Sequence, residues 1–242
     1  MSSKSKIEWT ESTWNPITGC SKISEGCTNC YAFSLANRLQ KMGNAKYSEG
    51  FSVRLHPRTL NDPLARKKPS VIFVNSMSDI FHEDVPNDYI MKIFDVMNEA
   101  SWHTFQILTK RDVRMVEMSG KLRWGRNIWM GVTVENDMRV NRIDALKTVP
   151  ANIKFVSFEP LLSDMANVDL HGIDWAIVGG ESGSHARPMM ESWALNVKSS
   201  CERAGALFYF KQWGGHNKKK NGRLLQGKTW DDSPALITRK AS

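Results

Sequence analysis

Three of the chain's four cysteines, Cys20, Cys27 and Cys30, fall within eleven residues, in WNPITGCSKISEGCTNCY, with the spacing C-x6-C-x2-C. The thiolate is the form of cysteine that binds metal, and three close thiolates without an adjacent fourth ligand make an incomplete donor set. Three readings fit it. A cluster of four metal ions held by three protein ligands keeps one metal open to a substrate or cofactor, and iron–sulfur clusters take thiolate ligands. A structural zinc ion would use the C-x2-C pair of Cys27 and Cys30 and borrow a histidine such as His56, although none of the six histidines has a telling spacing. Unrelated thiols are the third reading, and three in eleven residues argue against it. Cys201 stands apart in a helical pattern and reads as a core residue.

A second set of chemistry-bearing residues follows short apolar runs. Ser76, Ser78 and Asp79 follow VIFVN, and Lys110 and Arg111 follow TFQILT. Glu135 and Asn136 follow NIWMGVTV, and Glu159 follows KFVSF. Glu181 and Ser182 come after DWAIV and two glycines, and Lys211 and Gln212 end LFYFK. Strand ends are generally more polar than strand middles. In a parallel barrel, however, the C-terminal strand ends converge on the face where active sites form. Glu159 and the turn carrying Glu181 could bind ribose hydroxyls, an amino group or a substrate, or instead pair with Lys110 or Arg111. The segment Gly179-Gly180-Glu181-Ser182-Gly183 resembles a ligand-contacting turn, but it lacks both the GxGxxG spacing and the lysine of a phosphate loop. Trp213, beside Gly214-Gly215, reads equally as a base-stacking side chain or a core tryptophan.

The elements that must position these groups read as strand–helix units. Strands are expected at Val71–Asn75, Thr104–Thr109, Asn127–Val134, Lys154–Phe158, Asp174–Val178 and Leu207–Lys211. Helical periodicity marks the stretch after Cys30, ended by Gly43, and Asn87–Ala100, Val113–Met118, Met138–Lys147 and Glu191–Ala204. Residues 1–19 read as irregular, anchored by Trp9 and Trp14, and 44–69 as a long connection with a short helix. This alternation implies an α/β fold, a partial (β/α) barrel with a TIM-like parallel sheet, outer helices and an N-terminal Cys-rich loop. One domain is expected over 1–215, followed by a basic, polar, loosely ordered tail over 216–242.

The bulk numbers narrow the class. The chain has 242 residues, 41% of them hydrophobic and 24% charged, as in ordinary globular proteins. No apolar run approaches a membrane span, and MSSKSKIEWTES has no signal-peptide core. A cytoplasmic, reducing location is the expectation, and there clustered cysteines bind metal or catalyse. The net charge of +8 and pI of about 9.4 favour an anionic partner, nucleic acid first.

The cysteine triad followed by βα units resembles the radical SAM superfamily, whose usual loop is C-x3-C-x2-C. The C-x2-C half matches and the first spacing is longer. WNPITGC, GCTNCYA, FQILTKR, GVTVEN, KFVSFEPLL, GGESG and FKQWGG resemble, more narrowly, a radical-SAM-like family of phage and bacterial proteins. The resemblance implies a 4Fe-4S cluster on Cys20, Cys27 and Cys30, whose fourth iron binds S-adenosylmethionine and cleaves it to a 5′-deoxyadenosyl radical. It implies cofactor contacts among Ser76, Ser78, Asp79, Glu135, Glu159 and Glu181. The family's Gly-Gly-Glu strand end is replaced by Asn75-Ser76-Met77-Ser78-Asp79. It further implies an electron donor such as a flavodoxin, host cytoplasm if the gene is phage-borne, and DNA as substrate. The reaction implied is isomerisation of a glycinyl-thymidine adduct in phage DNA hypermodification, which protects viral DNA from restriction. The alternatives are a zinc-stabilised nucleic-acid-binding protein without catalysis, and radical repair of DNA photolesions. The sequence assigns no oligomeric state.

Overall fold

The computed structural model describes Ser5 and residues 7–234. The described residues form nine strands: β1 (Ser12–Trp14), β2 (Ile17–Thr18), β3 (Arg54–Leu55), β4 (Val71–Val74), β5 (Thr104–Thr109), β6 (Ile128–Thr133), β7 (Ile153–Phe158), β8 (Trp175–Gly179) and β9 (Leu207–Gln212). Seven helices accompany them: α1 (Tyr31–Lys41), α2 (Asp62–Ala65), α3 (Asn87–Glu99), α4 (Asp112–Ser119), α5 (Asn141–Lys147), α6 (Glu191–Ala204) and α7 (Lys218–Asn221). Seven strands form one sheet in the order β1-β4-β5-β6-β7-β8-β9, while β2 and β3 make a separate antiparallel pair. This is the α/β partial-barrel class expected from the sequence.

The strands read as unbroken apolar runs because they are buried on both faces. Every residue of β4, β6 and β8 is buried. Two compact units divide the chain. The first comprises Met1–Ile23, Cys30–Met130 and Val149–Asn152; the second comprises Ser24–Asn29, Gly131–Thr148 and Ile153–Ser242. In the first, α1 lays Ala32 and Ala36 against Tyr47, Met77 and Phe51, and Cys30 joins the same cluster. Small residues four apart on one helix face permit that close approach. In the second, fully buried Trp175 packs against Phe155 and Tyr209, with ring centroids 5.7 and 6.0 Å away.

Three differences from the sequence reading have local causes. Residues 12–14 are not irregular: they form β1, parallel to Ile72–Val74. A three-residue strand containing Ser12 and Thr13 carries no periodic signal. The helix expected from Met138 begins only at Asn141, because Asp137–Arg139 forms a tight 3-10 turn. The segment after Gly215 is ordered as far as Pro234. Phe210 N donates to Trp230 O (2.9 Å), Tyr209 bridges Asp231, and Trp175 Nε1 donates to Asp232 O (2.8 Å). This strap satisfies the outer edge of β9, which would otherwise offer unpaired backbone groups. Residues 235–242 of the expected tail lie outside the described residues.

Trp175 therefore joins two strands and the C-terminal strap. Trp175→Ala is expected to cost about 3–5 kcal/mol in urea denaturation. A loss below about 1 kcal/mol would show that the strap and ring packing contribute little.

Candidate functional site

Cys20 follows β2, where the chain leaves the β2–β3 pair. Gly19 takes φ +88°, and a Cβ there would lie 2.0 Å from Ser52 O. Only glycine fits this crossing. Gly19 N donates to Met77 O (3.0 Å) and Cys20 N to Phe51 O (3.1 Å), so the Cys20 backbone is fixed on both sides. Arg111, 8% exposed at the end of β5, points Nη1 at Cys20 Sγ (3.8 Å) and donates from Nη2 to Ser21 Oγ (2.8 Å). Its Nε donates to Glu83 (2.8 Å), and Asp79 lies 3.8 Å from Nη1. Burial would discharge this guanidinium, but Glu83, Asp79 and Cys20 outweigh burial and raise its pKa. The Arg111 hydrogen bond in turn lowers Glu83 to about 2. Cys30 caps the N-terminus of α1, and the exposed Tyr31 hydroxyl donates to Ser76 O.

Cys27 lies on the Ser24–Asn29 segment of the second unit. Its amide donates to Ser24 O (3.0 Å). Strand-end residues grip this segment. Arg139 and Asn136 donate to the Glu25 carboxylate (3.1 and 3.3 Å), and Arg187 Nη2 donates to Glu25 O (2.9 Å). Gly26 N donates to Glu135 Oε1 (3.4 Å). Glu135 is fully buried and paired with buried Arg142 at 2.8 Å. Asn29 Nδ2 donates to Glu181 Oε2 (2.9 Å), and Arg187 forks onto the same carboxylate. Burial pushes Glu181 up, but the bonds from Arg187 and Asn29 win and hold it below the usual carboxylate range.

The strand-end residues singled out from the sequence are thus engaged in different ways. Ser76 Oγ donates to Asn15 Oδ1 (3.2 Å) and Ser78 Oγ to Ile17 O (3.0 Å). Buried Asp79 accepts from Thr109 Oγ1 (2.7 Å), Phe81 N (3.0 Å) and Lys110 N (3.1 Å). Glu159 pairs with Lys211 (2.8 Å) and accepts from Ser157 Oγ (3.0 Å). Glu135 and Glu181 hold the Cys27 segment. The glycines around Glu181 serve backbone packing: a Cβ on Gly180 would meet Trp213 O at 2.0 Å, and one on Gly214 would meet Glu181 O at 2.1 Å. Trp213 packs edge-on against Phe210 and donates Nε1 to Leu224 O, as a packing tryptophan does.

Sequence reasoning left two residues, Arg187 and Asn75, out of the site, and placed Arg111 there only as a strand-end cation. Arg111 and Arg187 had visible charge but no spacing tying them to the cysteines. Asn75, at the end of β4, takes φ +61° and is 4% exposed, yet neither polar atom of its side chain has a partner. A buried amide without partners costs about 1–3 kcal/mol, which a bound ligand would recover. The signal was an asparagine directly after a buried strand, a residue type that tolerates the left-handed region.

Among the described residues, no group of three or more His, Cys, Asp and Glu side chains is arranged to hold a single metal ion. The donor chemistry of a thiolate-ligated cluster and of a polar cofactor is nevertheless present. Cys20, Cys27 and Cys30 are partly exposed and outside any disulfide, and Asn75 is an orphaned polar group beside Ser76. No described helix is long and apolar enough to cross a membrane.

Fold and site together define an α/β partial-barrel protein with a thiol-bearing loop after its first strand. The chain belongs to the family described as Protein of unknown function (DUF5131), whose model matches residues 4–234. No curated protein matches it. Its fold is similar to that of spore photoproduct lyase. A double mutant with bound AdoMet and dinucleoside spore photoproduct gives a TM-score of 0.52 at 12% identity, and the complex with the dinucleoside gives 0.51 at 12%. A further single mutant gives 0.53 at 12%. In each case 84% of this chain is covered but 64% of the other, so the chain spans less than two thirds of those proteins' length.

Replacing Glu181 by Gln tests the grip on the Cys27 segment. The wild type should be more stable by about 1–2 kcal/mol at pH 7, since Arg187 is partly solvated. Because the folded pKa is lowered, that advantage is complete above the unfolded value near 4.5 and is lost as pH falls through the folded one. Equal denaturation midpoints of the two proteins from pH 7 to pH 3 would contradict the assignment.

Proposed function

We propose that this protein is a radical SAM enzyme, with a 4Fe-4S cluster on Cys20, Cys27 and Cys30 and S-adenosylmethionine beside it. The observation that carries the reading is the pairing of two features at neighbouring strand ends of the first unit. Cys20 is fixed by backbone bonds after β1, and the orphaned Asn75 follows β4, hydrogen-bonded to Trp14 O through its amide (2.8 Å). When bound, the cluster and S-adenosylmethionine supply one-electron cleavage of a sulfonium carbon–sulfur bond and a carbon radical that abstracts hydrogen. An external reductant such as a flavodoxin gives the electron.

The chain's own residues bind and orient. Asn75 and Ser76 occupy the strand end that carries Gly-Gly-Glu in the superfamily, and they offer an amide and a hydroxyl to the methionyl end. Asp79 holds the β4 and β5 ends together through Thr109 and Lys110 N, which keeps that turn rigid. Glu159 with Lys211 presents a second polar pair at the ends of β7 and β9. Glu135 and Glu181 act on the cofactor through the Cys27 segment that they anchor.

The substrate is DNA, supported by the charge of +8 and by the family resemblance. The reaction is rearrangement of a glycinyl-thymidine adduct, moving the attachment from nitrogen to carbon during phage DNA hypermodification. Photolesion repair is the second reading, favoured by the fold shared with spore photoproduct lyase. A cysteine hydrogen donor at the site would strengthen it. Cys201 is ill suited to that role, because it is 1% exposed on α6.

Anaerobically reconstituted protein, given S-adenosylmethionine and dithionite, should form 5′-deoxyadenosine. It should convert glycinyl-thymidine DNA to a nucleoside of equal mass and different retention. Conversion of the dinucleoside spore photoproduct instead would establish the repair reading. Zinc without iron, and no 5′-deoxyadenosine, would leave a nucleic-acid-binding protein.

A further inference from the structure

Arg111 is a buried cation with a hydrogen-bond donor aimed at one thiol of the triad. Its guanidinium is spread over four partners on two segments. Nη1 faces Cys20 Sγ at 3.8 Å, Nη2 donates to Ser21 Oγ at 2.8 Å, Nε donates to Glu83 at 2.8 Å, and Asp79 lies at 3.8 Å. The residue is held from behind as well: Arg111 N donates to Thr109 Oγ1 (2.9 Å), and Thr109 is itself fixed by Asp79. Ser21 Oγ is shared with His82 Nε2 (2.8 Å), so the hydroxyl beside Cys20 is also locked. One fixed cation, held by three other contacts, therefore faces the partly exposed Cys20 thiol.

We propose that Arg111 is a positioning residue that tunes the cluster through Cys20, making its reduction easier. This rests on the radical SAM reading. Reduction adds one negative charge to a thiolate-ligated cluster. A cation donating to a ligand sulfur stabilises the more negative state more, and hydrogen bonds to the sulfurs and net charge set such potentials. At 8% exposure the charge of Arg111 is weakly screened by water and salt. Asp79 and Glu83 offset part of the cation, and burial and then the Arg111 charge hold His82 below the ordinary histidine range. The two carboxylates make the system adjustable: Glu83 is 61% exposed and bound to the same guanidinium, so removing its charge leaves more of the cation for the sulfur.

The test is a potentiometric titration of the reconstituted cluster, read by electron paramagnetic resonance, in wild type, Arg111→Gln, Arg111→Lys and Glu83→Gln. Arg111→Gln should move the midpoint to more negative potential, and Arg111→Lys should recover part of the shift. Glu83→Gln, at a side chain 61% exposed, should move it the other way. Iron content and thermal midpoint, measured on each sample, separate tuning from loss of the cluster. A full cluster with one unchanged midpoint in all four proteins overturns the role of Arg111 and leaves the radical SAM reading standing. Failure of the wild type to hold iron and sulfide overturns both.

Discussion

The segment from Cys20 to Cys30, CSKISEGCTNC, carries one large apolar side chain, Ile23, and that side chain is exposed. It therefore cannot be fixed by burying hydrocarbon, and its order depends on hydrogen bonds, most of them charge-assisted. In the first unit Arg111 reaches the Cys20–Ser21 end. In the second, Glu25, Gly26 and Asn29 are taken up by Arg139, Asn136, Glu135, Glu181 and Arg187. Charge-assisted bonds of this kind are worth about 1.5–3 kcal/mol each when desolvated. Removing one partner of the buried Glu135–Arg142 pair would cost about 3–5 kcal/mol. The strand-end polar residues are thus largely the means by which a polar loop is held on an apolar sheet.

That economy changes what the acids mean. An acid at a strand end suggests a cofactor or substrate contact when only its position is known. The geometry shows Glu135 and Glu181 already engaged by Arg142 and Arg187, while the Asn75 side chain has no partner. The group to watch is the unsatisfied one. Likewise Gly180 of GGESG lies where two backbones cross, and its lack of a Cβ is explained without any ligand.

The sheet was legible in the sequence because parallel strands buried on both faces leave continuous runs such as VIFV and WAIVG, bounded by helical periodicity. β1 was not, since three residues with two hydroxyls give no pattern, and its existence depends on pairing with β4, sixty residues on. The C-terminal strap was missed for a similar reason. Its polar, basic composition hides Leu225 and Trp230, and it owes its order to the open edge of β9. At the site, residue type and spacing were enough to single out the cysteines. Partners were not legible: which arginine meets which acid is decided by strand order. Asn75 became conspicuous only through its burial, its left-handed backbone and its missing partners.

The central claim is a cluster with three protein ligands and one open iron. Mössbauer spectroscopy of protein reconstituted with 57Fe, before and after addition of S-adenosylmethionine, tests it most directly. The account predicts iron in a three-to-one pattern, with only the minority iron changing its isomer shift when the cofactor binds. Four irons that all ignore S-adenosylmethionine, or a protein that takes up zinc and no iron, would contradict it.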